Sequence, residues 1–413
     1  MKLSNACGTG KTLVSTVRLR AMFNLGVGAG LLICAATSTY ATDEQKIGFA
    51  VARSGWMEAY DTGATQAALI AIDDINAKGG LLGKKLVADI RDTRTDLARS
   101  AQVAQELIAE DLPMMVVSCD YDMGAPAALA NESAGKISTF LCAGDFKAGV
   151  HGIGPHAFSA ASEAHADGAA MAEWAYNKRN VRNVYLLLDT SIQYDRSMCG
   201  GFEWMFKQMD GVKVIGKETF ENNDTSIASQ ITRIKSLPTA PDAIMLCSYL
   251  PGAASAVRQI RAAGIKAPLL NGTSMDGDYW LSSVPGLDNF FAMARASVRG
   301  DDPRPAVNDL VTRYKAKFGS APVSQASLDG YAAIQNWAIG VEQAGTFDPD
   351  AVVAAMEKFN AQETLLGPRS FTSTMHIQTR MPMLITETSG GSSKVIDQVT
   401  LSRDIPESVL LQQ

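Results

Sequence analysis

The chain has 413 residues, 46% of them hydrophobic, and sets 37 Lys and Arg against 43 Asp and Glu for a formal net charge of −6. That acidic balance removes the electrostatic case for nucleic acid or for an anionic membrane surface. Six cysteines fall at no spacing that resembles a zinc site.

In chain order, the first segment reads as a leader. Residues 1–20 carry Lys2, Lys11, Arg18 and Arg20 with no acid, residues 21–36 are mostly apolar, and Thr39 and Ala41 place small residues at −3 and −1 before Thr42. These are the three parts of a secretory signal peptide. Asn24 and the short apolar run disfavour a retained membrane anchor. Ile33 disfavours lipidation at Cys34, and Leu19 separates the arginines that twin-arginine export needs adjacent. The stretch ACGTGKT ends like a phosphate-binding loop, but Asn5 stands where the first glycine is required and no strand precedes it. Without residues 1–41, 372 residues remain, with 33 basic against 43 acidic groups, a net charge near −10. That length suffices for two domain-sized cores.

Strand patterns over 46–51, 85–91, 114–118, 137–142, 183–188, 212–219, 242–247, 267–271 and 289–294 alternate with helical patterns over 62–78, 96–110, 123–134, 162–178, 195–209, 225–236 and 252–264. In 62–78, Ala64, Ala68, Ile72 and Ile75 share one face, and Lys78 before Gly79 is a helix stop. Gly79, Gly80 and Gly83 then turn the chain into a strand on which Leu86, Ala88 and Ile90 alternate. After residue 300 helices dominate, over 304–318, 325–344 and 348–359. The alternation predicts an α/β fold with parallel sheets covered on both faces by helices. The loop at 151–162 is the expected domain boundary. His151, His156 and His165 fall around it without a carboxylate or cysteine at metal-ligand spacing.

Four cysteines lie beyond the leader. Nearest-neighbour disulfides, Cys119 with Cys142 and Cys199 with Cys247, are the simplest pairing for an exported chain. Each also lies near a strand end or helix start, where a buried free thiol is equally ordinary.

Ligands of such sheets bind beyond the carboxyl ends of the strands. Those ends here read SGWMEAYD, SCDYDMG, CAGDF, DTSIQYD, CSYLPG and NGTSMDGD, rich in aromatics, acids and small residues. No Ser/His/Asp, Cys/His or carboxylate pair has a spacing that specifies catalysis, so no enzyme and no cofactor are expected.

The ordered set DDINAKGGLLGKKL, DTRTDLARS, YLLLDTSIQYDRS, DAIMLCSYLPGAASAVRQIRAAGIKAPLLNG, SLDGYAAIQNW and LLGPRSF resembles the type I periplasmic solute-binding proteins of branched-chain-amino-acid-type (Liv-like) ABC importers, over residues 45–385. The resemblance implies two Rossmann-like lobes joined by a three-segment hinge that closes on a solute: residues 42–157 plus 296–367, and 158–295 plus 368–413. The implied role is a monomeric periplasmic carrier that captures a small polar organic solute, amino-acid-like, amide or cationic, and delivers it to an inner-membrane ABC permease. A ligand sensor reporting to a membrane receptor is the alternative role of the same fold.

Carried over by position, the ligand-binding residues are Trp56, Tyr60, Asp120, Asp122, Ala143 through its backbone, Asp145, Tyr194, Tyr249, Thr273 and Asp276. Asp122 (or Asp120) and Asp145 stand where the resemblance expects hydroxyls that hold an α-carboxylate. Carboxylates there repel an anionic group in a poorly hydrated cleft, while the aromatics can hold a cation. Two alternatives stand beside this reading. The aspartates cap helices and point away, or Asp120, Asp122 and Asp145 hold a hard metal ion.

Overall fold

The computed structural model describes residues 43–411. Residues 1–41, which the sequence reading expects to be a signal peptide, and the ACGTGKT stretch within them lie outside the described residues.

The first five strands, β1 (Glu44–Val51), β2 (Lys85–Asp92), β3 (Met114–Val117), β4 (Ile137–Phe140) and β5 (Ala157–Ser159), form an all-parallel sheet in the order β2-β1-β3-β4-β5. β5 lies inside the expected boundary loop. Helices α1 (Glu58–Ala77), α2 (Leu97–Ile108) and α3 (Tyr121–Ser133) connect the first four strands. Ala64, Ala68 and Ile72 of α1 pack with Phe49, Val51 and Val116 on one face, and Val103, Leu107 and Ala128 cover Met115, Val117 and Phe140 on the other. The expected helix began at residue 62; it starts at Glu58, and its first turn carries Tyr60 and Asp61.

The second sheet takes β6 (Asn183–Asp189), β7 (Lys213–Phe220), β8 (Ala243–Cys247), β9 (Leu269–Leu270), β10 (Phe290–Ala294), β11 (Met383–Ser389) and β12 (Ser392–Val399), in the order β12-β11-β10-β9-β8-β6-β7. β6 to β10 are parallel, whereas β11 and β12 add an antiparallel hairpin that the strand reading did not include. α4 (Ala164–Arg179) and α5 (Gln193–Phe206) cover one face, and α6 (Ala228–Lys235) and α7 (Gly252–Ala262) the other.

α8 (Pro305–Phe318), α9 (Ala326–Ala344) and α10 (Pro349–Met356) return to the first sheet's side, where Ile334, Trp337 and Val341 of α9 join the α1 core. The short α11 (Glu407–Leu410) packs Leu410 against the α4–α5 core. The chain therefore passes between sheets at 160–163, 295–304 and 367–382. Two of the passages run side by side: Ser159 N–H donates to His376 O at 3.0 Å and Glu163 N–H to Gln378 O at 2.8 Å.

The glycine turn at 79–83 serves the backbone. Gly80 has φ +84°, and a Cβ on it would stand 2.1 Å from Lys84 O, so only glycine fits. Both cysteine pairs form disulfides, Cys119–Cys142 and Cys199–Cys247. Among the described residues no helix is long and apolar enough to cross a membrane.

Candidate functional site

The carboxyl ends of the strands face one another across a cavity. In the first sheet the order reverses beside β1 and β3, in the second beside β6 and β8, and the loops leaving these strands supply most of the lining. The empty space is about 510 Å³, part of it open to solvent, a small-molecule size.

From the first side come Trp56, Met57, Tyr60, Asp120, Tyr121, Gly144 and Asp145, with the Cys119–Cys142 disulfide as part of the floor. The loops bearing the two aspartates are thus tied covalently. Asp61 ties them to α1 as well: its buried carboxylate accepts Ala52 N–H at 2.7 Å, Cys119 N–H at 2.8 Å and Ser118 Oγ–H at 3.1 Å. Burial lifts Asp61 to about 6 against those bonds.

Asp120 caps α3, one oxygen accepting Met123 N–H at 3.0 Å. It is almost wholly buried, and burial, then the neighbouring Asp122, push its carboxyl up to about 8. Asp145 accepts Lys147 N–H at 2.8 Å and the Ser197 hydroxyl, and burial raises it too.

From the second side come Ile192, Tyr194, Tyr249, Thr273 and Ser274. Tyr194 Oη lies 3.0 Å from Thr273 Oγ1 and accepts Thr273 N–H at 2.9 Å; the Thr273 hydroxyl reaches Asp167 at 3.1 Å. The rings of Trp56 and Tyr249 meet at 5.1 Å, one from each side. Further bonds cross the cleft: Leu250 N–H to Tyr60 Oη at 3.2 Å, Gln193 N–H to Asp122 at 2.9 Å, and Ser197 to Asp145. The two sides are in contact, so the molecule is closed around the cavity.

Seven of the ten residues expected from sequence line this cavity: Trp56, Tyr60, Asp120, Asp145, Tyr194, Tyr249 and Thr273. Three do not. Asp122 turns from it to bond Gln193. Ala143 packs in the core and its carbonyl accepts Ser159 Oγ–H at 2.6 Å, so Gly144 presents the backbone instead. Asp276 is buried behind the wall, one oxygen accepting Gln325 N–H at 2.8 Å. Helix capping, the alternative for the aspartates, applies to Asp120, yet that cap also faces the cavity. Among the described residues no group of three or more His, Cys, Asp or Glu is arranged to hold a metal ion, so Asp120, Asp122 and Asp145 do not form the metal site weighed from sequence.

Sequence reasoning did not include Arg295, Gln325 and Ala326. Arg295 leaves the carboxyl end of β10, a strand that was read, so the strand-end rule could have found it. Its guanidinium is paired with both oxygens of Asp329, donates to Ser162 at 3.0 Å, and lies 3.9 Å from Asp167. Gln325 and Ala326 come from the start of α9, where no strand end marks them. Gln325 joins Arg295 N to the carbonyl of Thr273 through its amide.

A family model described as Periplasmic binding protein matches residues 44–392. The Leu/Ile/Val-binding protein homolog 3 of Brucella melitensis is 20% identical over 331 residues, covering 79% of this chain and 87% of that one. Among solved structures, the branched-chain amino acid transporter substrate-binding protein LivJ of Streptococcus pneumoniae, in complex with isoleucine, superposes with a TM-score of 0.73 at 22% identity, covering 87% of this chain and 99% of that one. A solute-binding protein of an ABC transporter from R. palustris, in complex with benzoate, gives 0.70 at 18% identity, covering 88% and 97%.

Proposed function

This chain belongs to the periplasmic binding protein family, in the branched-chain-amino-acid type of ABC-transporter binding proteins, and on that premise we propose that it captures a small polar organic solute and hands it to an inner-membrane permease. The observation that carries the reading is the cavity itself, walled from both sheets and closed by bonds between them. The lobes are residues 42–157 plus 296–367 and residues 158–295 plus 368–413. Solute enters when they part, contacts one lobe, and gains the other lobe's contacts only on closure. Its preference for the closed form shifts the population, and the closed form is what a permease reads. Residues 1–41 direct the chain to the periplasm and are removed there.

The solute is an amino-acid-like, amide or cationic compound. The amino acids for which the relatives are named support the first, while the isoleucine and benzoate complexes show that the fold takes different solutes. Binding as the role is supported by the relatives, which are named as binding proteins.

The test is thermal melting of residues 42–413, oxidised, then unfolded and refolded to strip carried-over ligand. The panel holds amino acids, amides, amines, betaines, aromatic acids and polyols. A solute at a hundred times its dissociation constant stabilises by about 2.7 kcal/mol. A panel in which no compound moves the melting temperature overturns the reading.

A further inference from the structure

The charges around the cavity narrow the solute class, on the footing that this is a solute-binding site. Arg295 is the only basic side chain on the described lining, and Asp329 already matches its charge, with Asp167 a further acid at 3.9 Å. Nothing positive is left over for a solute carboxylate.

The acids are not matched in the same way. One Asp120 oxygen accepts the helix-capping N–H, and the other accepts no hydrogen bond among the described residues. Asp195, in the first turn of α5 beside the lining Tyr194, is fully buried, and among the described residues neither of its oxygens has a partner. Burial, then the neighbouring Asp189 and Asp120, push its carboxyl well up, toward the neutral form. Buried acceptors without donors are costly, and an arriving donor with positive charge relieves them. The lining also holds the Trp56–Tyr249 pair, whose ring faces attract a cation or cover an apolar skeleton. A metal ion does not meet these demands, since among the described residues no set of three ligating His, Cys, Asp or Glu groups converges.

We propose that the solute is an organic cation without a carboxylate, a protonated or quaternary amine whose charged nitrogen lies at Asp120 and whose carbon skeleton lies against Trp56 and Tyr249.

Affinity then rises with pH, because the cation favours the ionised carboxyl. The acids that act on Asp120 are Asp122 on its own helix, Asp145 after β4, Asp61 on α1 and Asp195 on α5, and where ionised each opposes its ionisation. The other titratable groups on the same lining are Tyr60, Tyr121, Tyr194, Tyr249 and Arg295, whose charge Asp329 matches.

The experiment is calorimetric titration of the oxidised, refolded residues 42–413 with choline, putrescine, phenethylamine and leucine. The wild type is taken at pH 6.5 and 8.5, and Asp120→Asn at pH 8.5. The expected result is that at least one amine binds while leucine does not, at least tenfold tighter at the higher pH and at least tenfold weaker in Asp120→Asn. If the variant fails to refold, the wild-type pH dependence and the proton release seen by changing buffer decide alone. Leucine binding in preference to all three amines overturns the organic-cation assignment and leaves the solute-binding reading standing. No binding by any amine, with none by any compound of the wider panel, overturns both.

Discussion

The phenol oxygen of Tyr60 accepts the backbone N–H of Leu250 at 3.2 Å, joining the two walls of the cavity across 190 positions of sequence. Leu250 follows Tyr249, so the same bond holds Tyr249 where its ring meets Trp56. Tyr60→Phe keeps the ring and removes the acceptor. One hydrogen bond of this kind contributes about 0.5–1.5 kcal/mol. Because the bond exists only when the walls meet, its loss weakens the closed form and leaves each lobe intact. Solute affinity should fall about three- to tenfold by calorimetry, with the melting temperature of the ligand-free protein unchanged. An unchanged affinity would show that closure does not depend on this bond.

Four buried aspartates make the ligand-free protein lose stability as pH rises. Asp61 and Asp167 are lifted to about 6, Asp276 to about 7 and Asp120 to about 8, each chiefly by burial. In the unfolded chain they titrate near about 4. Between those values the folded state binds more protons than the unfolded one, so stability falls with rising pH. His165, raised by Glu163 although burial opposes it, acts in the same direction; the buried His376, whose value is lowered, acts against it. The ligand-free melting temperature should drop from pH 5 to pH 8.5. A melting temperature that climbs over that range contradicts the burial of these acids.

The two disulfides should separate stability from binding. Their sequence separations, 23 and 48, correspond in the chain-entropy account to about 3 and about 4 kcal/mol. Cys199 and Cys247 lie in the α4–α5 core, whereas Cys119 and Cys142 line the cavity next to Asp120 and near Asp145. The double variant Cys199→Ser/Cys247→Ser should lower the denaturant midpoint with solute affinity held within about twofold. Cys119→Ser/Cys142→Ser should lower both, because the loops that aim the carboxylates are no longer tied. Equal effects of the two pairs on affinity would place the role of Cys119–Cys142 in stability alone.

The parallel sheets were legible because strands and helices of this length write their periods into the sequence, as in Ala64, Ala68 and Ile72 on one face of α1. The β11–β12 hairpin was missed although Gly390 and Gly391, both with positive φ, are a two-residue turn signal between two strands. The site was legible as far as strand-end loops define it, which covers Trp56, Asp120, Tyr249 and Thr273. It was not legible where one residue's register decides: Asp120 faces the cavity as a helix cap, and Asp122, two positions on, faces Gln193 instead. Nor does any local signal bring the start of α9 to the cavity; that approach depends on the second passage between the sheets. Asp195 looks from sequence like an ordinary acid in a first helical turn, and only its burial without a partner distinguishes it.

That second passage begins at Arg295, whose pairing with Asp329 is fully buried and joins the end of β10 to α9. Removing one member of such a pair leaves the other charge unpaired inside the protein, at a cost of about 3–5 kcal/mol. Arg295→Met and Asp329→Leu should each lower the denaturant-unfolding free energy by that amount. The double variant should recover part of it, because the two charges leave together, although Asp167 then loses the guanidinium 3.9 Å away. Ser162, which accepts from Arg295, and Gln325, which accepts Arg295 N–H, would both keep their other partners. Recovery of stability in the double variant without recovery of solute affinity would assign the pair to closing geometry. Recovery of both would assign it to folding, and additive losses would show that the two charges do not compensate each other at all.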